Sequence, residues 1–215
     1  MTTNGVAGSG APLKTASLSP EDALFSPELL SALVNARQSN DTEESSATPL
    51  PPNWSAPERF TIRPLQRTDY DAGFLDVLAS LTKVGQISKE QFEGRFQSMK
   101  SQGNYYVVVL EDKLAADRQS SVVACGTLLI EEKFIRHLGR VGHVEDIVVA
   151  EHKQGHGLGQ IVVRALDYLA HKLDCYKCIL DCSAAKKGFY ASKTEFAETG
   201  FQMAHYYPEK KQDNA

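Results

Sequence analysis

The spacing of apolar and polar positions changes period several times along this chain. FTIRPLQRTDYD predicts a short strand ending at Pro64, after which Phe74, Leu75, Leu78 and Leu81 recur at helical spacing. Ser88-x-x-Gln91 has the form of a capping box, and Phe92, Phe96 and Met99 give a second short helix its apolar face. Two β-rich runs follow, NYYVVVLED and SVVACGTLLIEE, parted by a polar loop with Asp117 and Arg118; an antiparallel pair is the simplest arrangement. GHVEDIVVA predicts a third strand, and Leu158, Ile161, Val162, Ala165, Leu169 and Leu173 a helix. KCILDCS then predicts a strand, KGFYASKTEF a helix and FQMAHYY a last strand. Strands that neighbour helices on each side in this order define an α/β layer.

Residues 1 to about 57 are rich in Ser, Pro, Gly, Asn and Thr and read as a mostly disordered extension, with 58–210 as the folded domain. LFSPELLSALVNARQ interrupts the extension with a predicted helix around 26–37. Ser26 is its cap, Pro27 suits the first helical position, and Leu29, Leu30, Leu33 and Val34 make a stripe. The stripe docks on the domain or on a partner, or else the helix is transient. On this reading, removing residues 1 to 50 leaves activity largely unchanged.

A chain of 215 residues, 42% hydrophobic and 23% charged, suits one core with an extension. The net charge of −4 and a pI near 5.9 provide no basic field for nucleic acid or an anionic membrane, so any anion must be captured locally. No apolar run approaches the ~20 residues that span a bilayer, and the leader lacks the order of a signal or transit peptide; the expected location is the cytoplasm. Cys175-x-x-Cys178, Cys182 and His171 have a spacing that zinc uses. In CYKCILDCS, however, Cys178, Leu180 and Cys182 alternate with Ile179 and Asp181, so a strand with small thiols on one face is the simpler reading and no metal is expected.

Between the third strand and its helix lie Gly155, Gly157 and Gly159. Such turns bind phosphates, because a helix N-terminus leaves N–H donors unpaired and glycine lets an anion approach the backbone. A P-loop needs Lys and Ser or Thr after its last glycine, where this chain has Gln160 and Ile161. A dinucleotide fold needs a different last spacing and an earlier place in the domain. A merely tight connection leaves unexplained why Gly157 and Gly159 stand where a helix starts, since glycine there costs up to ~1 kcal/mol. Gln154-Gly155-His156-Gly157-Leu158-Gly159 instead matches in full the Gln/Arg-x-x-Gly-x-Gly/Ala turn that grips the pyrophosphate of coenzyme A.

With this turn and this element order the chain resembles the GCN5-related N-acetyltransferase (GNAT) superfamily, whose fold is a central mixed twisted sheet flanked by helices. GHVEDIVV, CYKCILDCS and GFY, in that order, are further similar to the glucosamine 6-phosphate N-acetyltransferases of amino-sugar synthesis, over about residues 60 to 206. The long leader suggests a fungal version. The resemblance implies acetyl transfer from acetyl-CoA to the amine of D-glucosamine 6-phosphate, by direct attack in a ternary complex. Ile147, Val148 and Val149 would offer backbone hydrogen bonds to pantetheine, and Gln154, Gly155, His156, Gly157, Leu158, Gly159 and Gln160 would hold the pyrophosphate.

The same resemblance carries further residues. Thr82, Lys133, Phe134, Ile135 and Arg136 match sugar-phosphate contacts, and Tyr176 and Lys177 match contacts made across the boundary of a homodimer whose last strand crosses to the partner. Glu145, Asp146 and Ile147 line the sugar, Glu145 and Asp146 count with Asp181 and Tyr190 as catalytic, Asp181 helps deprotonate the ammonium group, and Tyr190 sits near the coenzyme sulfur as a donor. Read as residues alone, Glu145 and Asp146 are consecutive in a strand and so point to opposite faces, and Asp181 among Ile179, Leu180 and Cys182 needs a partner. KFIRH alone reads more simply as a solvated turn, and Tyr190 alone equally as a packing aromatic beside Phe189. The chain departs from the family after Tyr190, where ASKTE-Phe196 is one residue longer and lacks Cys-Gly, and at His205 and Tyr206, where a basic residue is expected. Alternatives are acetyl transfer to another small amine or a protein amine, and a non-catalytic acyl-CoA-binding module.

Overall fold

The computed structural model describes residues 22–35 and 57–207. Five strands form one sheet in the order β1-β2-β3-β4-β5: β1 (Phe60–Pro64), β2 (Tyr105–Asp112), β3 (Val122–Glu132), β4 (Arg140–Val149) and β5 (Cys175–Leu180). The first four are successively antiparallel and β5 runs parallel to β4, which makes the sheet mixed. Strand alternation sends side chains to two cores. Val108, Leu110, Val123, Leu128 and Val144 face one, and Val107, Val109, Cys125 and Val148 the other.

Helix α1 (Ser31–Asn35) precedes the sheet, α2 (Phe74–Ala79) and α3 (Lys89–Gln102) join β1 to β2, and a four-residue turn, α4 (Ile135–Leu138), joins β3 to β4. Helix α5 (Leu158–Lys172) crosses from β4 to β5, and α6 (Ala184–Lys193) follows. Helix α2 lines the second core through Phe74 and Val77, and ends at Ala79, so Leu81 lies beyond the helix and is exposed. Ser88 and Gln91 close the expected capping box: the Ser88 N–H donates to Gln91 Oε1 at 2.8 Å and the Gln91 N–H to Ser88 Oγ at 3.3 Å. Helix α5 buries Leu158, Ile161, Val162, Ala165, Leu166 and Leu169 on the first core. It lies so close to β3 that a Cβ on Gly126 would stand 2.8 Å from Val162 and 2.9 Å from Leu166.

The stretch around Pro27 packs inside this unit. Ser26 accepts from the Glu28 N–H at 3.3 Å to start a single 3-10 turn that runs into α1, and Leu30 and Leu33 are buried against α5, β1 and β2. Just before it, the Leu24 N–H donates to Leu65 O at 2.9 Å and Ala23 bridges Gln66, extending the β1 edge. The folded unit therefore includes residues upstream of 58; positions 36–37 of the expected helix fall outside the described residues.

FQMAHYY differs from its expected strand. Residues 201–207 have no regular structure and are exposed, with Phe201 and Met203 each 94% accessible. An alternating pattern becomes a strand only when it finds a ladder partner. Within the described part of one chain, β5 is the last strand of the sheet and pairs only with β4.

Candidate active site

The site originates in a parting of two strands. Strands β4 and β5 are paired from Arg140 and Cys175 to Val144 and Leu180, where β5 stops; β4 continues unpaired on that side through Glu145–Val149. Along roughly 13 Å of strand, at about 3.3 Å per residue, its edge faces a gap instead of a neighbouring strand. The stretch contains Ile147, Val148 and Val149. Val148 is buried in the second core, while Ile147 and Val149 are partly buried against the first, so their side chains hold the strand although its backbone edge on this side meets no strand.

A bulge sits at the parting. Cys125 pairs with Val148 but Thr127 with Glu145, so β4 spends one more residue than β3 there. The surplus is taken up at Asp146, whose φ is +53°, a left-handed conformation that costs most residues but that Asp adopts more readily. This corrects the opposite-face expectation for the two acids. Glu145 stands across from Thr127, and Asp146 lines a cleft together with Thr127 and Cys125, so the bulge turns both carboxylates to the α2–α3 side of the sheet. The cleft, about 600 Å³, runs between Phe74, Leu78, Phe92 and Met99 to Asp146.

Asp181 also differs from its expected place. It is exposed one residue past the end of β5, so it needs no buried partner, and Cys182 is likewise off the strand; Cys178 and Leu180 remain against the first core. The position sets Asp181 at the parting of the strands, near Glu145. Partial burial raises the Glu145 pKa above the ordinary carboxylate value, and the charges of Asp146 and Asp181 raise it further. Three acids thus share one local field, which suits a site for an amine.

At the far end of β4 the chain makes a 3-10 turn, Glu151–Lys153, and enters the glycines. Gly155 and Gly157 have φ of +80° and +76°, and a Cβ on either would meet nothing within 4 Å. Glycine is needed there for the backbone angle, and the surface above it is open. Gly157 caps α5, so the N–H groups of Leu158 and Gly159 begin a helix with no preceding turn to bond. Gln154 is turned back, its Nε2 donating to Val149 O at 3.1 Å; His156 Nδ1 lies 2.8 Å from Gln154 O; and Gln160 Nε2 donates to Lys193 O at 2.5 Å, joining the turn to α6.

Helix α6 carries Tyr190, half-buried and edge-on to Phe189 at 5.0 Å between ring centroids. Burial, and then the nearby Cys182 thiol, raise the Tyr190 pKa, so the phenol keeps its proton at neutral pH. Phe189 in turn lies 3.7 Å from where a Gly159 Cβ would be. The helix that holds the phenol therefore rests on the glycine turn.

The basic residues form a separate pole. Arg136, His137 and Leu138 all have positive φ, a left-handed turn that leaves Phe134, Ile135 and Leu138 exposed. Arg136 lies over the Tyr176 ring at 5.7 Å and Lys177 Nζ over the same ring at 5.9 Å, so β5 and α4 bring two cations to one aromatic ring. Lys133 pairs with Glu131, whose second oxygen lies 2.8 Å from His143 Nε2. Thr82 lies past the end of α2, its N–H donating to Leu78 O at 3.3 Å. Sequence reasoning missed the Glu131–His143 link; the diagonal β3–β4 contact that makes it depends on register, which no local pattern announces.

A parted pair of strands, a bulge at the parting and a glycine turn at the strand's end are the architecture of an acetyltransferase. The chain matches the acetyltransferase (GNAT) family over residues 73–196 and belongs to it. Its similarity extends to particular members. It is 40% identical over 151 residues to glucosamine 6-phosphate N-acetyltransferase 1 of Dictyostelium discoideum, covering 69% of this chain and 92% of that one. The glucosamine 6-phosphate N-acetyltransferase of Candida albicans is 41% identical over 147 residues, covering 68% and 95%. A crystal structure of the Arabidopsis thaliana glucosamine-6-phosphate N-acetyltransferase superposes with a TM-score of 0.65 at 36% identity, over 70% of this chain and all of that one. These relatives come from an amoeba, a yeast and a plant, so they do not single out a fungal source.

Proposed function

We propose that this enzyme transfers acetyl from acetyl-CoA to the amine of D-glucosamine 6-phosphate, yielding N-acetyl-D-glucosamine 6-phosphate and coenzyme A, a step toward UDP-N-acetylglucosamine. The observation that carries the proposal is the parting of β4 and β5 with acids at its head, the glycine turn at its tail and the Arg136–Tyr176–Lys177 pole beside β5. A substrate that is an amine at one end and a phosphate at the other needs acids and bases separated in this way.

In the proposed reaction the coenzyme lies along Glu145–Val149, with its pyrophosphate on residues 154–160. A carboxylate of the Glu145, Asp146 and Asp181 group takes a proton from the sugar ammonium. The freed nitrogen lone pair attacks the thioester carbon, and a backbone N–H of the unpaired strand stabilises the oxyanion. When the tetrahedral intermediate collapses, the C–S bond breaks, its electron pair goes to sulfur and the Tyr190 phenol gives the thiolate its proton, while the second proton shed by the acylated nitrogen restores the phenol. No enzyme nucleophile is used: Cys125, the buried thiol near Asp146, is held protonated chiefly by burial.

Glu145 gives the reading a pH signature. Its raised pKa means that kcat/KM falls as pH drops through that pKa and the proton acceptor becomes occupied. Asp146→Asn removes a repelling charge with a residue that also tolerates positive φ. The acid limb of the residual activity is expected to move to lower pH; a limb that stays or moves up would separate Glu145 from the reaction.

The phosphate pole is tested by Arg136→Ala and Lys177→Ala. Each is expected to raise KM for glucosamine 6-phosphate by about tenfold or more, as for loss of a charge-assisted bond, and to leave KM for acetyl-CoA unchanged. Equal increases for both substrates would assign these residues to folding.

The exposed Phe134, Ile135 and Leu138 around Arg136, and the exposed Phe201, Met203, Tyr206 and Tyr207, support a homodimer in which a second copy covers these apolar side chains. The unpaired edge of β5 is the place for a strand formed by FQMAHYY. Transfer to a polyamine or protein amine would favour an acidic groove free of such cations, and a module that only binds acyl-CoA would have no use for Tyr190 or the three acids. Among the described residues no helix is long and apolar enough to cross a membrane; we place the enzyme in the cytoplasm.

A further inference from the structure

One buried charge cluster has no part in this chemistry. Asp112 ends β2 with a side chain only 1% exposed. Its oxygens accept from Arg59 Nε at 2.7 Å and Nη2 at 2.6 Å, from Lys153 Nζ at 2.9 Å and from the Leu114 N–H at 3.0 Å. Arg59 stands just before β1 and Lys153 just before Gln154. A single carboxylate thus ties the head of β1, the end of β2 and the entrance to the glycine turn, across 41 and 53 residues of sequence.

The Arg59 hydrogen bonds, opposed by burial and assisted by Lys153, hold the Asp112 carboxyl well below the usual carboxylate range, so it stays charged at working pH. A buried carboxylate is tolerated only when its oxygens are satisfied, and here the two cations and an amide do so. The glycine turn has the opposite need. Gly155 and Gly157 are exposed and a Cβ on either would meet nothing within 4 Å, so no side-chain packing holds that face of the turn and its flanks do more to fix the permissive glycine backbone. On the upstream flank the Gln154 tie to Val149 is exposed, while Lys153–Asp112 is part-buried, its carboxylate only 1% exposed.

We infer that Asp112 is a positioning residue for the coenzyme, holding Lys153 so that the turn at residues 154–160 presents its backbone N–H groups to the pyrophosphate in a fixed arrangement. The inference rests on reading that turn as the acetyl-CoA phosphate site. Asp112 touches no substrate; it acts through Lys153 by removing conformational freedom that binding would otherwise have to remove.

The test uses the full chain and two donors. By calorimetry, Asp112→Asn and Lys153→Met are expected to raise the Kd of acetyl-CoA about tenfold, with Lys153→Arg recovering most of the loss. S-acetylpantetheine, which lacks the pyrophosphate and nucleotide, is expected to keep its KM within about twofold in every variant. Should Asp112→Asn fail to fold, Lys153→Met leaves the Arg59–Asp112 pair intact and decides the matter. Equal losses with both donors, or no loss, would overturn the inference. So would tighter acetyl-CoA binding in Asp112→Asn, because it would mean that Asp112 withholds Lys153 from the phosphates. A wild type that does not bind acetyl-CoA sinks the reading of the turn and this inference with it; one that binds while the variants behave alike sinks this inference alone.

Discussion

Asp181→Asn is expected to lower kcat about a hundredfold or more while leaving the Kd of acetyl-CoA nearly unchanged. Asp181 sits where β5 stops and β4 continues, in the shared field of Glu145 and Asp146, and it is exposed, so the amide replaces it without a packing penalty. Its loss removes one charge that attracts the ammonium group and one acceptor for its proton. Stopped-flow turnover with glucosamine 6-phosphate, set beside calorimetry with acetyl-CoA, separates the two effects. Weakened coenzyme binding with chemistry intact would move Asp181 from the acceptor side of the site to the donor side.

Deletion of residues 1–36 is expected to destabilise the enzyme severely, or to give an insoluble product, rather than to be silent as the composition of that region suggested. It removes Ala23, Leu24, Leu30 and Leu33 from the two cores and strips the β1 edge of its Leu24–Leu65 hydrogen bond. A milder form is Leu33→Ala. A fully buried leucine truncated to alanine costs ~2–5 kcal/mol, and at about 2–4 °C per kcal/mol the melting temperature should fall by roughly 4–20 °C. Calorimetric melting of Leu33→Ala beside the exposed control Val34→Ala reads this directly. Equal melting temperatures would mean that the segment does not dock in solution.

The sheet was legible because its signals are local. β-rich apolar runs in NYYVVVLED, SVVACGTLLIEE and GHVEDIVVA marked strands, and the helical stripe from Leu158 to Leu169 marked α5, because each pattern reports one residue's burial at a time. The glycine turn was legible for a related reason: Gly155 and Gly157 stand at positive φ, where other residues are strained. What local pattern did not carry is register. The extra residue at Asp146 reverses the face on which an acid points, and it exists only relative to β3. Nor does alternation announce where β5 stops, which put Asp181 at the end of a strand rather than inside one. FQMAHYY fails as a strand for the same reason in its simplest form, since pairing is a property of two segments and one chain shows only one. The docking of Leu30 and Leu33 was open to either outcome, because a stripe records that a face is apolar and says nothing of what covers it.

The central claim, an acceptor that is amine at one end and phosphate at the other, is tested most directly by thiol release from acetyl-CoA with glucosamine 6-phosphate, unphosphorylated glucosamine and spermidine side by side. The predicted result is a kcat/KM for glucosamine 6-phosphate that exceeds both others by about a hundredfold or more, the discrimination that two cations on one anion supply. Equal rates with and without the phosphate, or a preference for spermidine, would contradict it.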